Sequence, residues 1–356
     1  MPDPFPRNPA AFREEVSFSE EILRSGRENS AYRSRETYRL ITSISRGKIT
    51  DASELFAPIA IAAPERTEMD CGTAARALPS QPQMIDPRTA PESFGCVLAA
   101  IDMGPGSRRV LLHSAGLARL FSTTLKVLHV GTDVSAEQRQ HVLDYCARRG
   151  PYEVDLADDD VVLRTGIVSE AIYREATRQK AGLVVMGSRG QGSLATFLLG
   201  STTQAVLRNA PAPILLVPPV DLDIVDLADR VRLSCGPVMA AVDLADANHQ
   251  QLRLAGELAH LAGEPLLLVT VTGRRATAAL SSGMLRERAW RAGVMPGAVI
   301  VRHGDVAREI SRCAAAERVG LVVMGLRAKM RGRPGAIASA VLGARSAFVL
   351  AVPEAS

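Results

Sequence analysis

Gly182-Leu-Val-Val-Met-Gly187 recurs unchanged as Gly320-Leu-Val-Val-Met-Gly325, 138 residues further along a chain of 356. The match extends outward from both copies. Gly166 in RTGIVSEAI has its counterpart in Gly304 of RHGDVAREI, and Arg189 has its counterpart in Arg327. Upstream, VLAAID ending at Asp102 resembles VMAAVD ending at Asp243. Downstream, AVL at 205–207 precedes PILLVP as AVL at 340–342 precedes FVLAVP. A repeat of this length is far longer than a solenoid unit and reads as a duplicated domain.

Within each copy, short aliphatic runs alternate with longer amphipathic stretches, the pattern of βαβ units on a parallel sheet. The first copy predicts strands near 95–101, 124–130, 160–164, 183–187 and 213–217, with helices near 107–121, 135–149, 167–180 and 200–209. The second predicts strands near 236–242, 265–271, 297–301, 321–325 and 347–352. Continuous runs such as LVVM and ILLV suit strands covered by helices on both faces. The expected division is an N-terminal extension over 1–92, a first domain over 93–220 and a second over 234–356. The stretch from Pro218 to Leu233 lies between the copies and is expected to hold a short helix, VDLADRV. In the extension, Ser17 with Glu20 three residues on has the form of a capping box opening a helix towards Ser45. Residues 64–91, rich in Pro, Ala, Thr, Gln and Asp, read as a linker.

Composition narrows the function. With 42 basic and 38 acidic residues the charge is too balanced for a dedicated nucleic-acid binder. No apolar run approaches the roughly 20 residues that span a bilayer, and the first residues lack the pattern of a secretory leader. The five cysteines are scattered and never spaced CxxC. They read as small core residues of a cytoplasmic protein. The six histidines form no HExxH pair, which argues against a metal hydrolase.

The chemistry lies after the repeated strand. Gly187-Ser-Arg189-Gly190-Gln-Gly-Ser193 leads, nine residues beyond Gly190, to Gly200-Ser201-Thr202-Thr203 at the start of a helical segment. Glycines let bare N–H groups approach an anion, and a helix start adds unpaired donors and the positive end of its dipole. Ser201 and Thr202 contribute hydroxyls and Arg189 a positive charge. The competing reading is a common glycine-rich turn followed by a Ser/Thr helix cap. A Walker A loop is excluded because no lysine stands at the required place, and the Rossmann fingerprint lacks its acid about 20 residues on.

The spacing Gly187-x2-Gly190-x9-Gly200-Ser201 resembles the ATP-binding members of the universal stress protein family. Asp102 at the end of the first strand, Val130 after the second, and the Gly166 to Ile172 stretch fit the same resemblance, which covers about two thirds of the chain. It implies an α/β fold of two tandem Rossmann-like, adenine nucleotide alpha hydrolase-like domains, each a five-stranded mostly parallel sheet flanked by helices. It implies ATP, with or without Mg²⁺, as ligand of the first domain. Asp102 would lie near ribose and adenine, and the Val130 backbone at the adenine edge. Gly187, Gly190 and Gly200 would surround the phosphates, with Ser201 donating to them. The alternative role for Asp102 is a cap for the next helix. The resemblance further implies pairing of the two domains through their last strands, Ile214 to Val217 against Phe348 to Val352, as an intrachain pseudo-dimer. A homodimer of whole chains and a protein partner are left open.

The second copy departs from this pattern. Ala328 stands where Gly190 does, and Gly335-Ala336 where Gly200-Ser201 do. The intervening loop is three residues shorter and carries Arg327, Lys329, Arg331 and Arg333. Two anion contacts are thereby lost. No metal-holding carboxylate or positioned nucleophile accompanies the first loop beyond Asp102, and His129 reads as a core histidine. The expectation is a nucleotide-binding stress-response protein without efficient catalysis. The alternatives are a slow adenine-nucleotide hydrolase and a nucleotide-free interaction module.

Overall fold

A computed structural model describes residues 95–147, 156–188, 199–220, 222–226, 231–245, 249–273, 277–326, 335–344 and 347–354. The expected features of 1–92 therefore lie outside the described residues, as do Arg189, Gly190 and the basic run of the second copy. Among the described residues no helix is long and apolar enough to cross a membrane.

The first copy forms β1 (Cys96–Ile101), α1 (Ser107–Leu120), β2 (Thr124–Gly131), α2 (Ala136–Ala147), β3 (Val161–Thr165), α3 (Val168–Arg178), β4 (Leu183–Gly187), α4 (Ser201–Arg208) and β5 (Ile214–Val217). Two short strands follow, β6 (Val225–Asp226) and β7 (Arg232–Leu233). The second copy forms β8 (Val238–Ala241), α5 (Gln250–Ala262), β9 (Leu266–Thr272), α6 (Ala278–Arg291), β10 (Ala298–His303), α7 (Val306–Ala316), β11 (Leu321–Leu326), α8 (Ala336–Gly343) and β12 (Phe348–Pro353).

Ten strands make one sheet in the order β10-β9-β8-β11-β12-β5-β4-β1-β2-β3. Every pairing within a half is parallel. The join between halves is antiparallel, with Leu350 opposite Leu215. Both halves thus repeat one strand order, and their carboxyl ends point to opposite edges of the sheet. All four residues of β5 are buried, as expected of a strand covered on both faces. Alternate strand residues feed two apolar clusters. Val97, Val185 and Leu215 join residues of α1, α2, α5 and α6. Leu98, Val184 and Leu216 join residues of α3, α4, α7 and α8. Near the join, Leu117, Leu183 and Leu215 meet their repeat partners Leu258, Leu321 and Leu350 around a small apolar cavity, with Ile224 and Leu233 of the connecting segment also on its wall.

That connection corrects an expectation. Val225 and Asp226 pair antiparallel with Leu233 and Arg232 instead of opening a helix, while 227–230, the centre of that expected helix, lie outside the described residues. The ribbon forms because Ile224, Val225 and Leu233 bury on the cluster that holds α1 and α5, while Asp226 and Arg232 make an ion pair of 2.7 Å on its outer side. Burial against the sheet decides the conformation of these flanking residues.

Candidate functional site

The chain leaves β1 for the face covered by α1 and leaves β4 for the face covered by α4, and the two strands are neighbours. Their carboxyl ends therefore flank a topological switch point, the place where open α/β sheets leave a crevice for ligands. The register sets the edge: Ala100 lies opposite Met186, and Ile101 opposite His129. Asp102 follows β1, Gly187 ends β4 and Val130 lies near the end of β2, so three of the expected residues share this edge.

Gly187 leads into Ser188, which is 3% exposed, and the carbonyl of Ser188 accepts the Gly200 N–H at 3.1 Å. The Ser188 N–H donates to the Val217 carbonyl at 3.1 Å. The two ends of the intervening loop are thereby clasped together and tied to β5. Gly200 is the N-cap of α4 in extended conformation (φ −60°, ψ 152°), and no side chain among the described residues caps the helix there. Ser201 is exposed and Thr202 half-buried. The uncapped first turn offers N–H groups and the positive dipole end to an anion.

Thr203, which the spacing argument passed over, fixes this arrangement. Its buried Oγ1 lies 3.3 Å from the Gly187 carbonyl and 3.4 Å from that of Ser188, pinning α4 to the end of β4. The only sequence signal is a hydroxyl one turn inside a helix that starts beside a strand end.

Asp102 is exposed, and its Oδ1 accepts from the Gly104 N–H (2.9 Å) and from Ser107 Oγ (2.7 Å). Ser107 Oγ in turn accepts the Asp102 N–H at 3.1 Å. The carboxylate thus holds the β1–α1 turn without capping α1, whose N-cap is Gly106. In that turn Met103 adopts a left-handed backbone (φ 61°), uncommon for a residue with a side chain. Tyr145 of α2 donates to the Gly104 carbonyl at 2.8 Å, and its burial pushes the phenol pKa up. His129 is buried, its Nδ1 3.1 Å from the Ile101 carbonyl, so it serves as a packed link between β1 and β2.

The corresponding edge of the second half is built differently. Asp243 Oδ1 accepts the Ala245 N–H at 2.8 Å, much as Asp102 does with Gly104. Gln251, at the repeat position of Val110, is 3% exposed and donates to the Ala241 carbonyl (2.7 Å) and the Val323 carbonyl (3.0 Å). Its amide bridges β8 and β11 at their own switch point. Gly335, the counterpart of Gly200, opens α8 from a left-handed backbone (φ 88°, ψ 9°).

The model of the universal stress protein family matches residues 94–218. A universal stress protein of Thermus aquaticus is 46% identical over 59 residues, 17% of this chain and 43% of that protein. One of Mycobacterium tuberculosis is 30% identical over 142 residues, 37% of this chain and 46% of that protein. The chain thus spans less than half the length of these curated relatives. Among solved structures, a universal stress protein of Archaeoglobus fulgidus superposes with a TM-score of 0.56 at 16% identity, covering 74% of this chain and 99% of that one. A Pseudomonas aeruginosa protein described as functionally unknown gives 0.54 at 19% identity, covering 73% of this chain and 93% of that one. At such identities the structural likeness is one of fold.

Proposed function

We propose that the chain belongs to the universal stress protein family, whose model matches residues 94–218, and that its first half binds an adenine nucleotide, ATP or MgATP, in a stress-response role without efficient catalysis. The observation that carries this reading is the start of α4. A helix capped by a bare glycine opens at the carboxyl edge of the sheet, beside the switch point and at the clasped end of a glycine-bearing loop. Such a terminus suits phosphate. In this reading Gly187, Gly190 and Gly200 make room for the phosphates, Arg189 adds charge, and Ser201 and Thr202 donate to them. Asp102 faces the ribose and the Val130 backbone meets the adenine edge. The hydrogen bonds that already engage Asp102 favour positioning over service as a base.

We read residues 234–356 as a second domain of the same family whose site is closed. The repeat, the shared strand order and the Archaeoglobus fulgidus alignment over 74% of the chain support the domain. Gln251 across the crevice, the altered backbone at Gly335, and Ala328 and Ala336 in the loop support the closure. The antiparallel join of β5 to β12 supports an intrachain pseudo-dimer.

Calorimetric titration of the full chain with ATP, AMP and cyclic AMP, with and without Mg²⁺, tests this reading. One ATP per chain is expected, with negligible phosphate release. Gly190→Val, which fills the loop, is expected to weaken binding about 100-fold or more, roughly 3 kcal/mol. Ala328→Val in the second half should leave the affinity unchanged. Equal losses from both variants would contradict the asymmetry. Metal-dependent phosphate release abolished by Asp102→Asn would favour a hydrolase, and no binding at millimolar nucleotide would favour an interaction module.

A further inference from the structure

The carboxyl-side end of the first-half loop is seated on the second half. Leu199 is 5% exposed and immediately precedes Gly200, the N-cap of α4. Its carbonyl accepts from Gln204 Nε2 at 3.1 Å. A Cβ built on Gly335 would stand 2.7 Å from Leu199 Cδ1 and 3.4 Å from Leu207 Cδ1. The side chain of Leu199 therefore occupies the space that a methyl on Gly335 would claim. Leu207, on the outgoing turn of α4, touches the same spot. In the hydrophobic staple, a residue just before the N-cap packs on the helix's own first turns and fixes the entry angle of the chain. Here the position four residues beyond the N-cap is the polar Gln204, and Leu199 lies instead against Gly335, the N-cap of α8. Gly335 also differs from its repeat partner in backbone, left-handed where Gly200 is extended. Gly335 combines a bare Cα, which leaves the space that Leu199 fills, with a positive φ that a residue with a side chain rarely adopts.

We propose that Gly335 is a positioning residue for the phosphate loop of the first half: it makes the seat for Leu199, and Leu199 fixes the junction at which the loop becomes α4. The second half thereby acts as a strut for the site in the first. The consequence for affinity rests on the nucleotide reading above, whereas the consequence for the loop does not.

Two readouts on the full chain separate these claims: hydrogen–deuterium exchange of peptides covering 188–207, and titration with ATP. Gly335→Ala places a methyl against Leu199 and is expected to speed exchange in those peptides roughly tenfold and to weaken ATP binding by about the same factor, leaving exchange in β1, β2 and β3 unchanged. Leu199→Ala should reproduce the effect. In the double variant Gly335→Ala should add nothing to exchange at 188–207, because its target there is gone, while the strain of a side chain at φ 88° still shows in peptides covering the start of α8. Additive effects at 188–207, a uniform rise over the chain, or no change at 188–207 would overturn the proposal. Should Gly335→Ala fail to accumulate, Leu199→Val decides. It shortens the seated branch without touching the second half, and unchanged exchange at 188–207 would count against the inference. If the unmodified chain binds no nucleotide, the functional reading falls and the exchange measurement alone decides the positioning role.

Discussion

Gly320→Ala is expected to abolish the cooperative fold, or to lower its stability by more than about 4 kcal/mol. The glycine opens the second GLVVMG strand. A Cβ there would lie 1.5 Å from the Cys235 carbonyl oxygen and 2.5 Å from the Cys235 carbonyl carbon. Those are backbone atoms, so no rotamer change relieves the overlap. Nor can the glycine withdraw freely. Its N–H donates to the Pro237 carbonyl at 3.2 Å and its carbonyl accepts the Phe348 N–H at 2.8 Å, tying β11 to the start of β8 on one side and of β12 on the other. Ordinary overpacking of side chains costs about 1–3 kcal/mol. Displacing a strand start adds broken ladder bonds to that cost, against a total stability typically near 5–15 kcal/mol. Gly283→Ala is the control. It lies inside α6 with nothing within 4 Å of the added methyl, and should stabilise by up to about 1 kcal/mol through helix propensity. Urea unfolding followed by circular dichroism compares the two. Equal midpoints would mean that the Cys235 backbone yields easily, against this account.

The sequence makes some of these features plain and hides others, for physical reasons. The strands are legible because a parallel sheet covered on both faces demands uninterrupted apolar runs, and ILLV and LVVM have no other use in a chain of this composition. The amphipathic helices between them follow from periodicity. Gly187 and Gly200 are legible as loop glycines because one ends an apolar strand and the other precedes Ser-Thr-Thr. The β6–β7 ribbon is not legible, since two-residue strands carry no period and form only where a sheet face is already present to cover them. Thr203, Gln251 and the Leu199–Gly335 contact escape for the same reason. Each depends on where a carbonyl or a methyl from another element comes to lie, and for Leu199 and Gly335 that neighbour is more than a hundred residues away. The asymmetry of the halves was visible in the lost glycine at Ala328, but Gln251 in the place of Val110 is a signal only once the strand ends it bridges are known.

Acidification from about pH 6.5 towards 3 is expected to remove stability steeply, and His113→Leu should abolish a large part of that loss. His113 lies on α1 with no exposed surface, edge-on to Phe348 of the second half at 5.0 Å between ring centres. Among the described residues neither ring nitrogen has a hydrogen-bond partner. Burial, aided by the positive charge of Arg109, pushes its pKa down to about 3, and the Leu222 backbone opposes this only weakly. The Asp223 carboxylate, 3.8 Å from Nε2, would favour the charged ring, but it is 66% exposed and also faces Arg109 at 3.7 Å. Burial therefore wins. Because the folded pKa lies below the unfolded value of 6.5, the unfolded chain binds the proton first. The contribution is complete above pH 6.5 and is lost as the pH falls to about 3, to the extent of roughly 4–5 kcal/mol. Carboxylates add their own acid loss. Glu175 is one, its pKa raised by burial but lowered on balance by Arg178, Gln179 and Arg164. Such losses are common to both proteins and cancel in the comparison. Leucine is the residue the second half carries at this repeat position, Leu254, buried at 5%. At neutral pH the exchange should be close to neutral or stabilising, since it removes two unpaired buried nitrogens. Urea midpoints measured between pH 4 and 8 should diverge in favour of the variant as the pH falls. Parallel curves would show that the imidazole is not the group that takes up the proton.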